Sequence, residues 1–222
     1  MIEKILPAGV AYAEAFTDPP DIVLFPEEEA LLARAVDKRR REFATARGCA
    51  RRALADLGVA PAPILRGERG APQWPPGIVG SITHCAGYRA AAVARAGDIV
   101  TVGLDAEPNG PLPDGVLDAV SLPAERARLR DLAAAAPGTS WDRLLFCAKE
   151  TVYKAWFPLA GRWLGFEDAD IAINPTDGTF EARLLVPAPT VGGSALTGFT
   201  GSWLACNGLI VTTIALQVLS PR

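Results

Sequence analysis

The sequence predicts an α+β fold made of two similar halves, and three observations predict it. A helical pattern followed by a run of strands occurs twice, over residues 26–105 and again over 139–217. Each run of strands contains a hairpin that begins near a Gly-Ser pair, Gly80–Ser81 in the first and Gly201–Ser202 in the second, which hints at an internal duplication. The third is composition: 222 residues, 50% hydrophobic and 21% charged, can bury a core as one domain or two small lobes.

The elements follow in order. Pro26 suits a first helical turn, Glu27, Glu28 and Glu29 suit the positive end of the helix dipole, and Gly58 suits a stop, so 26–58 reads as helical. Phe43, Ala46, Ala50, Ala53, Leu54 and Leu57 recur at helix spacing, which sets Arg40, Arg47 and Arg51 near one another on the polar face. A break near Asp37 would change which arginines share that face. Five prolines and three glycines make 60–77 a loop, which carries Arg66 and Arg69. Strands over 78–83 and 89–96 form a hairpin across 84–88, and a third strand covers 98–105. Pro108, Gly110, Pro111 and Pro113 punctuate the chain before a helix at 121–134. A second strong helix spans 139–158, with Thr139 and Asp142 at capping-box spacing, Pro158 at its end and Leu145, Ala148, Val152 and Trp156 as its buried stripe. The tail is β-rich, with strands at 170–174, 179–186, 198–206 and 209–217, the last two joined by the hairpin signal Asn207–Gly208.

Composition also excludes. A chain this apolar is not mainly disordered. No run approaches the roughly 20 consecutive apolar residues that span a bilayer. The stretch from Met1 to Val10 carries Glu3 and Lys4 without an extended apolar run, so no secretion signal is read and the expected location is the cytoplasm. Cys49, Cys85, Cys147 and Cys206 lack metal-ligand spacing and read as small hydrophobes. His84 is the single histidine, which excludes a zinc site built on several, and no Gly-x-Ser-x-Gly turn is present. No Gly-x-x-x-x-Gly-Lys-Ser/Thr loop exists either.

Charge is uneven. Residues 34–52 hold eight basic side chains and two acids, although the net charge is −3. That points to a local anion site rather than a general polyanion binder. Asp105 and Glu107 leave a strand two residues apart, on one side, where two carboxylates can share a hard cation such as Mg²⁺. Glu150 and Lys154 share a helix face, either as a surface ion pair or as an acid and base for chemistry. His84 lies in a turn next to the hydroxyls of Ser81 and Thr83. Arginines, a carboxylate pair, a helical Glu/Lys pair and a histidine together describe phosphoryl-transfer chemistry, where positioning and charge neutralisation do most of the catalysis.

Val102-Gly-Leu-Asp105-Ala-Glu107, followed by Phe146-Cys-Ala-Lys149-Glu150-Thr-Val-Tyr-Lys154, resembles the 4′-phosphopantetheinyl transferases of the monomeric Sfp/EntD type, and the actinobacterial enzymes in particular. Two upstream patterns match as well, Glu42-Phe43-Ala-Thr-Ala-Arg47-Gly-Cys-Ala50-Arg51 and Gly80-Ser81-Ile-Thr83-His84, with Gly70-Ala-Pro72-Gln-Trp74-Pro75 between them. The resemblance covers residues 30–175. It departs where many relatives have Gly-Lys-Pro and this chain has Gly70-Ala71-Pro72, and at Ala46, Phe146 and Thr151.

The resemblance implies transfer of phosphopantetheine from coenzyme A to a serine hydroxyl of an apo carrier protein, releasing adenosine 3′,5′-bisphosphate. It implies two α/β lobes with pseudo-twofold symmetry: 1–104 on the 3′-phosphate and adenine side, 105–222 bearing the metal and catalytic helix. By position, Asp105, Glu107 and Glu150 would hold Mg²⁺ (or Mn²⁺). Glu150 would help deprotonate the serine, and Lys154 would bind the pyrophosphate and protonate the leaving group. Arg47, with Arg39, Arg66 and Arg69, would grip the 3′-phosphate and adenine end, and Ser81, Thr83 and His84 would contact phosphates. Expected partners are acyl, polyketide or peptidyl carrier proteins of fatty-acid, polyketide and nonribosomal-peptide synthesis, met by a monomer. A Mg²⁺-dependent hydrolase of coenzyme A or another nucleotide is the competing enzyme. A nucleic-acid binder would account for the arginines but leave Asp105, Glu107, Glu150 and Lys154 unexplained, so neither nucleic acid nor membrane is expected as a partner.

Overall fold

A computed structural model describes residues 1–218. The described chain runs β1 (Val10–Ala15), α1 (Pro26–Ala30), α2 (Asp37–Asp56), β2 (Ile78–Cys85), β3 (Tyr88–Arg95), β4 (Ile99–Pro108), α3 (Val116–Val120), α4 (Pro123–Ala135), α5 (Trp141–Ala160), β5 (Ala169–Asn174), β6 (Thr179–Leu184), β7 (Thr190–Val191), β8 (Ser194–Ala195), β9 (Gly198–Cys206) and β10 (Leu209–Gln217). It is an α+β arrangement with a three-stranded sheet, β1-β3-β2, a five-stranded sheet, β4-β10-β9-β6-β5, and the small pair β7-β8.

The two larger sheets share a plan. In each, a hairpin presents its second strand to a third strand from outside it: β3 pairs with β1, and β10 pairs with β4, both antiparallel. The hairpin turns are Cys85-Ala-Gly-Tyr88 and Cys206-Asn-Gly-Leu209, and the Gly-Ser pairs sit at the same register in both, Ser81 opposite Ala92 and Ser202 opposite Thr213. Asn207 and Gly208 take φ of 53° and 73°, which a type I′ turn requires at both central residues.

Strand β3 is buried on both faces. Ala90, Ala92 and Ala94 join a cluster with Val102, Leu104 and Ala106 of β4, whereas Ala91 and Val93 pack on Cys49, Ala50, Ala53 and Leu54 of α2. Alternation along the strand thus places α2 on one side and β4 on the other. The opposite face of β4 meets α5. There the Thr101 hydroxyl donates to Ala155 O at 2.8 Å, and a Cβ on Gly103 would overlap the Thr151 carbonyl, so the helix lies directly on the strand. Leu145, Ala148, Val152 and Trp156 form the buried stripe of α5, as the periodicity predicts.

The 26–58 segment does break near Asp37, as the sequence allowed, into α1 and α2. Several boundaries differ from expectation. Pro158 does not end α5: it sits in the last turn, where its missing N–H removes a single ladder bond, and the helix closes at Gly161 in the left-handed region. Thr139 does not cap α5. Ser140 holds that position, and Asp142 instead accepts Leu112 N–H at 2.8 Å. The third strand extends to Pro108, so the expected lobe division at 104/105 falls inside β4.

Candidate active site

A cavity of about 610 Å³ opens between α2, the 66–74 loop, β2 and α5. Arg39, Arg47, Arg66, Arg69, Ser81, His84, Glu150 and Lys154 all line it. Asp105, Glu107 and Thr83 are not among its lining residues.

One end is cationic. Arg39 and Arg47 stand eight residues, about two turns, apart on α2. Arg39 Nη1 donates to His84 Nε2 at 2.6 Å, so that ring nitrogen accepts. Partial burial of the ring and then the Arg39 guanidinium push the His84 pKa down to about 4, and the ring is neutral at physiological pH. Arg47 lies over the Phe43 ring at 4.2 Å and donates from Nε to Ile64 O at 2.8 Å. Burial pushes its pKa down to about 10 against the opposing Glu28 carboxylate, and Arg66, Arg51 and Arg39 push the same way as burial. Arg66 sits over the same Phe43 ring at 5.4 Å and bridges to Pro72 across the loop. Within that loop Arg69 takes φ of 52°, unusual for a residue with a Cβ, and its guanidinium lies 5.6 Å from the ring of Trp163, which packs on Tyr153 of α5. Guanidiniums that raise one another's electrostatic cost form a site that an anion relieves.

The other end combines Glu150 and Lys154, one turn apart on α5, with Asp105 on β4. Lys154 does not pair with Glu150. Its Nζ donates to Asp105 Oδ1 at 2.7 Å and to Leu104 O at 3.1 Å. Burial disfavours the ammonium, but Asp105 and then Glu150 outweigh it and hold the Lys154 pKa above its ordinary value. Burial, and next the charge on Asp105, raise the pKa of both Glu107 and Glu150. Glu107 is turned onto Arg143, 3.1 Å from Nη1.

Whether these carboxylates suit a hard divalent cation can be judged from Asp105. Its Oδ2 is buried without a hydrogen-bond partner, and burial and then its charge raise the pKa of Glu107 and Glu150, which marks a donor set short of positive charge. The residues fit such an ion. The three are not gathered around one point, however: among the described residues no three acidic, thiol or imidazole groups stand close enough to hold a metal. Arg143 holds Glu107, and Lys154 holds Asp105 Oδ1.

The hydroxyls on β2 face β4. Ser81 Oγ accepts Leu104 N–H at 3.1 Å, and Thr83 Oγ1 accepts Ala106 N–H at 3.1 Å and donates to Asp105 Oδ1 at 3.1 Å. Ser81 still lines the cavity. The expected phosphate contact by Thr83 finds its hydroxyl already engaged and the residue 3% exposed.

Sequence reasoning missed Glu28. It reads as a helix-dipole acid, yet it is fully buried and accepts Phe25 N–H, Ile64 N–H and Arg51 Nη1 at 2.8–3.1 Å. Arg47 and Arg51 therefore converge on Glu28, whereas Arg40 turns to Glu29 and Leu32 O. Glu125 was missed in the same way. Its carboxylate takes Leu122 N–H, Ile171 N–H and, at 2.9 Å, Lys149 Nζ. The shared signal is a Pro-x-Glu triplet opening a short helix ahead of each long one: Pro26-Glu-Glu28 and Pro123-Ala-Glu125. Tyr153 was also missed. It lines the cavity, stacks on Trp163 at 4.9 Å, and carries a buried hydroxyl without a partner.

Two family models match the chain: the 4′-phosphopantetheinyl transferase N-terminal domain over residues 27–94, and the 4′-phosphopantetheinyl transferase superfamily over residues 101–192. The chain is 60% identical to the 4′-phosphopantetheinyl transferase Svp of Streptomyces mobaraensis, over 97% of this chain and 89% of that protein. It is 54% identical to the 4′-phosphopantetheinyl transferase PptT of Mycobacterium tuberculosis, over 97% and 98%. A more distant likeness, 33% over 70% and 64%, is to enterobactin synthase component D of Salmonella typhi. The hydrolase alternative finds no support among these relatives. Likeness along nearly the whole chain, joined to a cavity with arginines at one end and an acid-and-lysine pair at the other, establishes that this chain belongs to the 4′-phosphopantetheinyl transferase superfamily.

Proposed function

We propose that this chain, a transferase by family, moves 4′-phosphopantetheine from coenzyme A to a serine of apo carrier proteins, and does so in the cavity between α2 and α5. The observation that carries the reading is the grouping of charge in that cavity, with Arg39, Arg47 and Arg66 gathered about Phe43, and Glu150 and Lys154 together on α5 with Arg69 near them. Coenzyme A has the matching polarity: a 3′-phosphate and adenine at one end, a pyrophosphate where the chemistry happens.

Arg47, Arg66 and Arg69 bind the 3′-phosphate end, with Arg39 and His84 beside them. Lys154 binds the pyrophosphate and leaves Asp105 as it does so. A divalent cation, Mg²⁺ or Mn²⁺, would be held by Asp105, Glu107 and Glu150, and its chemistry is to offset pyrophosphate charge. In the transfer, the serine oxygen forms a bond to the phosphorus bearing pantetheine, and the pyrophosphate P–O bond breaks. Adenosine 3′,5′-bisphosphate leaves with the bonding pair. Glu150 takes the serine proton, and Lys154 supplies a proton to the leaving oxygen.

The two halves, 1–104 and 105–222, are read as lobes related by pseudo-twofold symmetry, with residues 219–222 outside the described chain. The common sheet plan, the matching Gly-Ser register and the paired Glu28 and Glu125 support this. A cytoplasmic monomer acting on acyl, polyketide or peptidyl carriers completes the proposal. No helix among the described residues is long and apolar enough to cross a membrane.

The test is the intact mass of apo carrier proteins after incubation with the protein, coenzyme A and Mg²⁺, with an EDTA control. A gain of one phosphopantetheine that EDTA abolishes is expected. Consumption of coenzyme A with no gain on fatty-acid, polyketide or peptide carriers would overturn the transferase reading.

A further inference from the structure

We infer that Thr83 is a positioning residue for Asp105 and not a contact for the substrate's phosphates. The inference rests on the function proposed above and concerns the carboxylate at its centre.

Strand β4 pairs with β10 along one edge, and β2 pairs with β3 along one of its own. No backbone ladder joins β2 to β4. Their join uses side-chain hydroxyls in place of carbonyls: Ser81 Oγ takes Leu104 N–H, and Thr83 Oγ1 takes Ala106 N–H. A threonine hydroxyl has one proton to give. With a lone pair committed to Ala106 N–H, that proton goes to Asp105 Oδ1, 3.1 Å away. Lys154 Nζ donates to the same oxygen at 2.7 Å. Two donors on Oδ1 set the attitude of the carboxylate, and Oδ2 is left buried without a hydrogen-bond partner, the weakly polar Cys147 thiol lying beside the side chain. Burying an acceptor without a partner is unfavourable, so a carboxylate held in that attitude is one prepared for an incoming positive group. Thr83 itself is 3% exposed and does not line the cavity. Its reach ends at Asp105. The first sheet thereby sets the aim of an acid that belongs to the second.

The test compares Thr83→Val, which keeps the shape and removes the hydroxyl, with Thr83→Ser, which keeps the hydroxyl. Mn²⁺ binding is read by electron paramagnetic resonance with and without coenzyme A. Coenzyme A affinity in EDTA is read by calorimetry, alongside kcat and KM for coenzyme A. Groups that orient metal ligands are worth about 10–100-fold in metal affinity. The expected result is a loss of about that size in Mn²⁺ affinity for Thr83→Val, unchanged coenzyme A affinity in EDTA, and recovery in Thr83→Ser. A raised KM for coenzyme A with Mn²⁺ binding intact would overturn the inference and make Thr83 a phosphate contact. No change in either would also overturn it. If Thr83→Val does not fold, Thr83→Ala, which leaves room for a water on Ala106 N–H, is read by the same criteria. A wild-type protein that binds Mn²⁺ but modifies no carrier would sink the proposed function and leave this inference standing.

Discussion

In the first half of the chain, Glu28 stands third in the helix opened by Pro26. Its carboxylate takes the N–H of the preceding cap, the N–H of Ile64 beyond the long helix, and Arg51. In the second half, Glu125 stands third in the helix opened by Pro123, and takes the cap N–H, the N–H of Ile171 and Lys149. Each acid ties a short helix, a 20-residue helix and the segment after it into one unit. The difference lies in the cations. Arg47 and Arg51 on α2 approach Glu28, and Arg47 also lines the cavity. On α5 the partner is Lys149, 1% exposed, whose Nζ also donates to Phe166 O and Ala169 O, while its neighbour Glu150 lines the cavity. One frame thus serves two ends. Where the frame's own cation reaches the cavity, the lining there is cationic. Where the cation is confined to the frame, the adjacent residue is free to be an acid.

Breaking the frame gives the largest expected effect. Glu125→Ala leaves Lys149 buried without its counter-charge and should cost about 3–5 kcal/mol, read by urea unfolding. Glu28→Ala should cost less, about 2–3 kcal/mol, because Arg51 is partly exposed and can be hydrated, whereas Lys149 is sealed from water. Equal losses would mean that the two frames are equally closed. Glu150→Gln sharpens the contrast from the catalytic side: kcat should fall at least about 100-fold with little change in unfolding midpoint. A kcat near wild type would remove Glu150 from the chemistry. Arg47→Ala should raise KM for coenzyme A by about tenfold, the size of one charged hydrogen bond, and much less for dephospho-coenzyme A. Equal changes with both substrates would move Arg47 away from the 3′-phosphate.

The smallest effect concerns His84. Unfolded, it titrates near its ordinary value of 6.5, and folded at about 4. Between those values the unfolded chain binds more protons, so this group's contribution to stability is present above pH 6.5 and is lost as pH falls towards 4. The gap in thermal midpoint between His84→Gln and wild type should therefore shift in the variant's favour by a few degrees as pH drops from 7 to 4.5. A constant gap would mean that burial and Arg39 together do not hold the ring neutral.

What was legible in the sequence follows from range. The hairpins, the buried stripe of α5 and the break before α2 are local: periodicity and turn chemistry encode them, and Asn207–Gly208 is readable from two residues. The cavity's residue set was legible through motifs, since Arg47, His84, Glu150 and Lys154 recur in a pattern. The pairings were not. Lys154 selects Asp105, 49 residues away, over Glu150 one turn away, because β4 packs directly on α5 at Gly103. Glu28 looks like a solvated dipole acid because nothing near it in sequence announces that Ile64 N–H and two arginines will enclose it. Pro158 misled because a proline in a final turn removes a single bond there, which tertiary packing readily offsets.

Strand β3 has a further consequence. Its side chains are alanine at four of the five positions from Ala90 to Ala94, all fully buried, and they separate the helix carrying Arg47 from the strand carrying Asp105. The strand acts as a spacer whose thickness is set by methyl groups. A longer side chain on either face would push the anion-gripping end and the carboxylate end apart while touching neither. The distance between α2 and β4 is thus gauged by residues that line no part of the cavity.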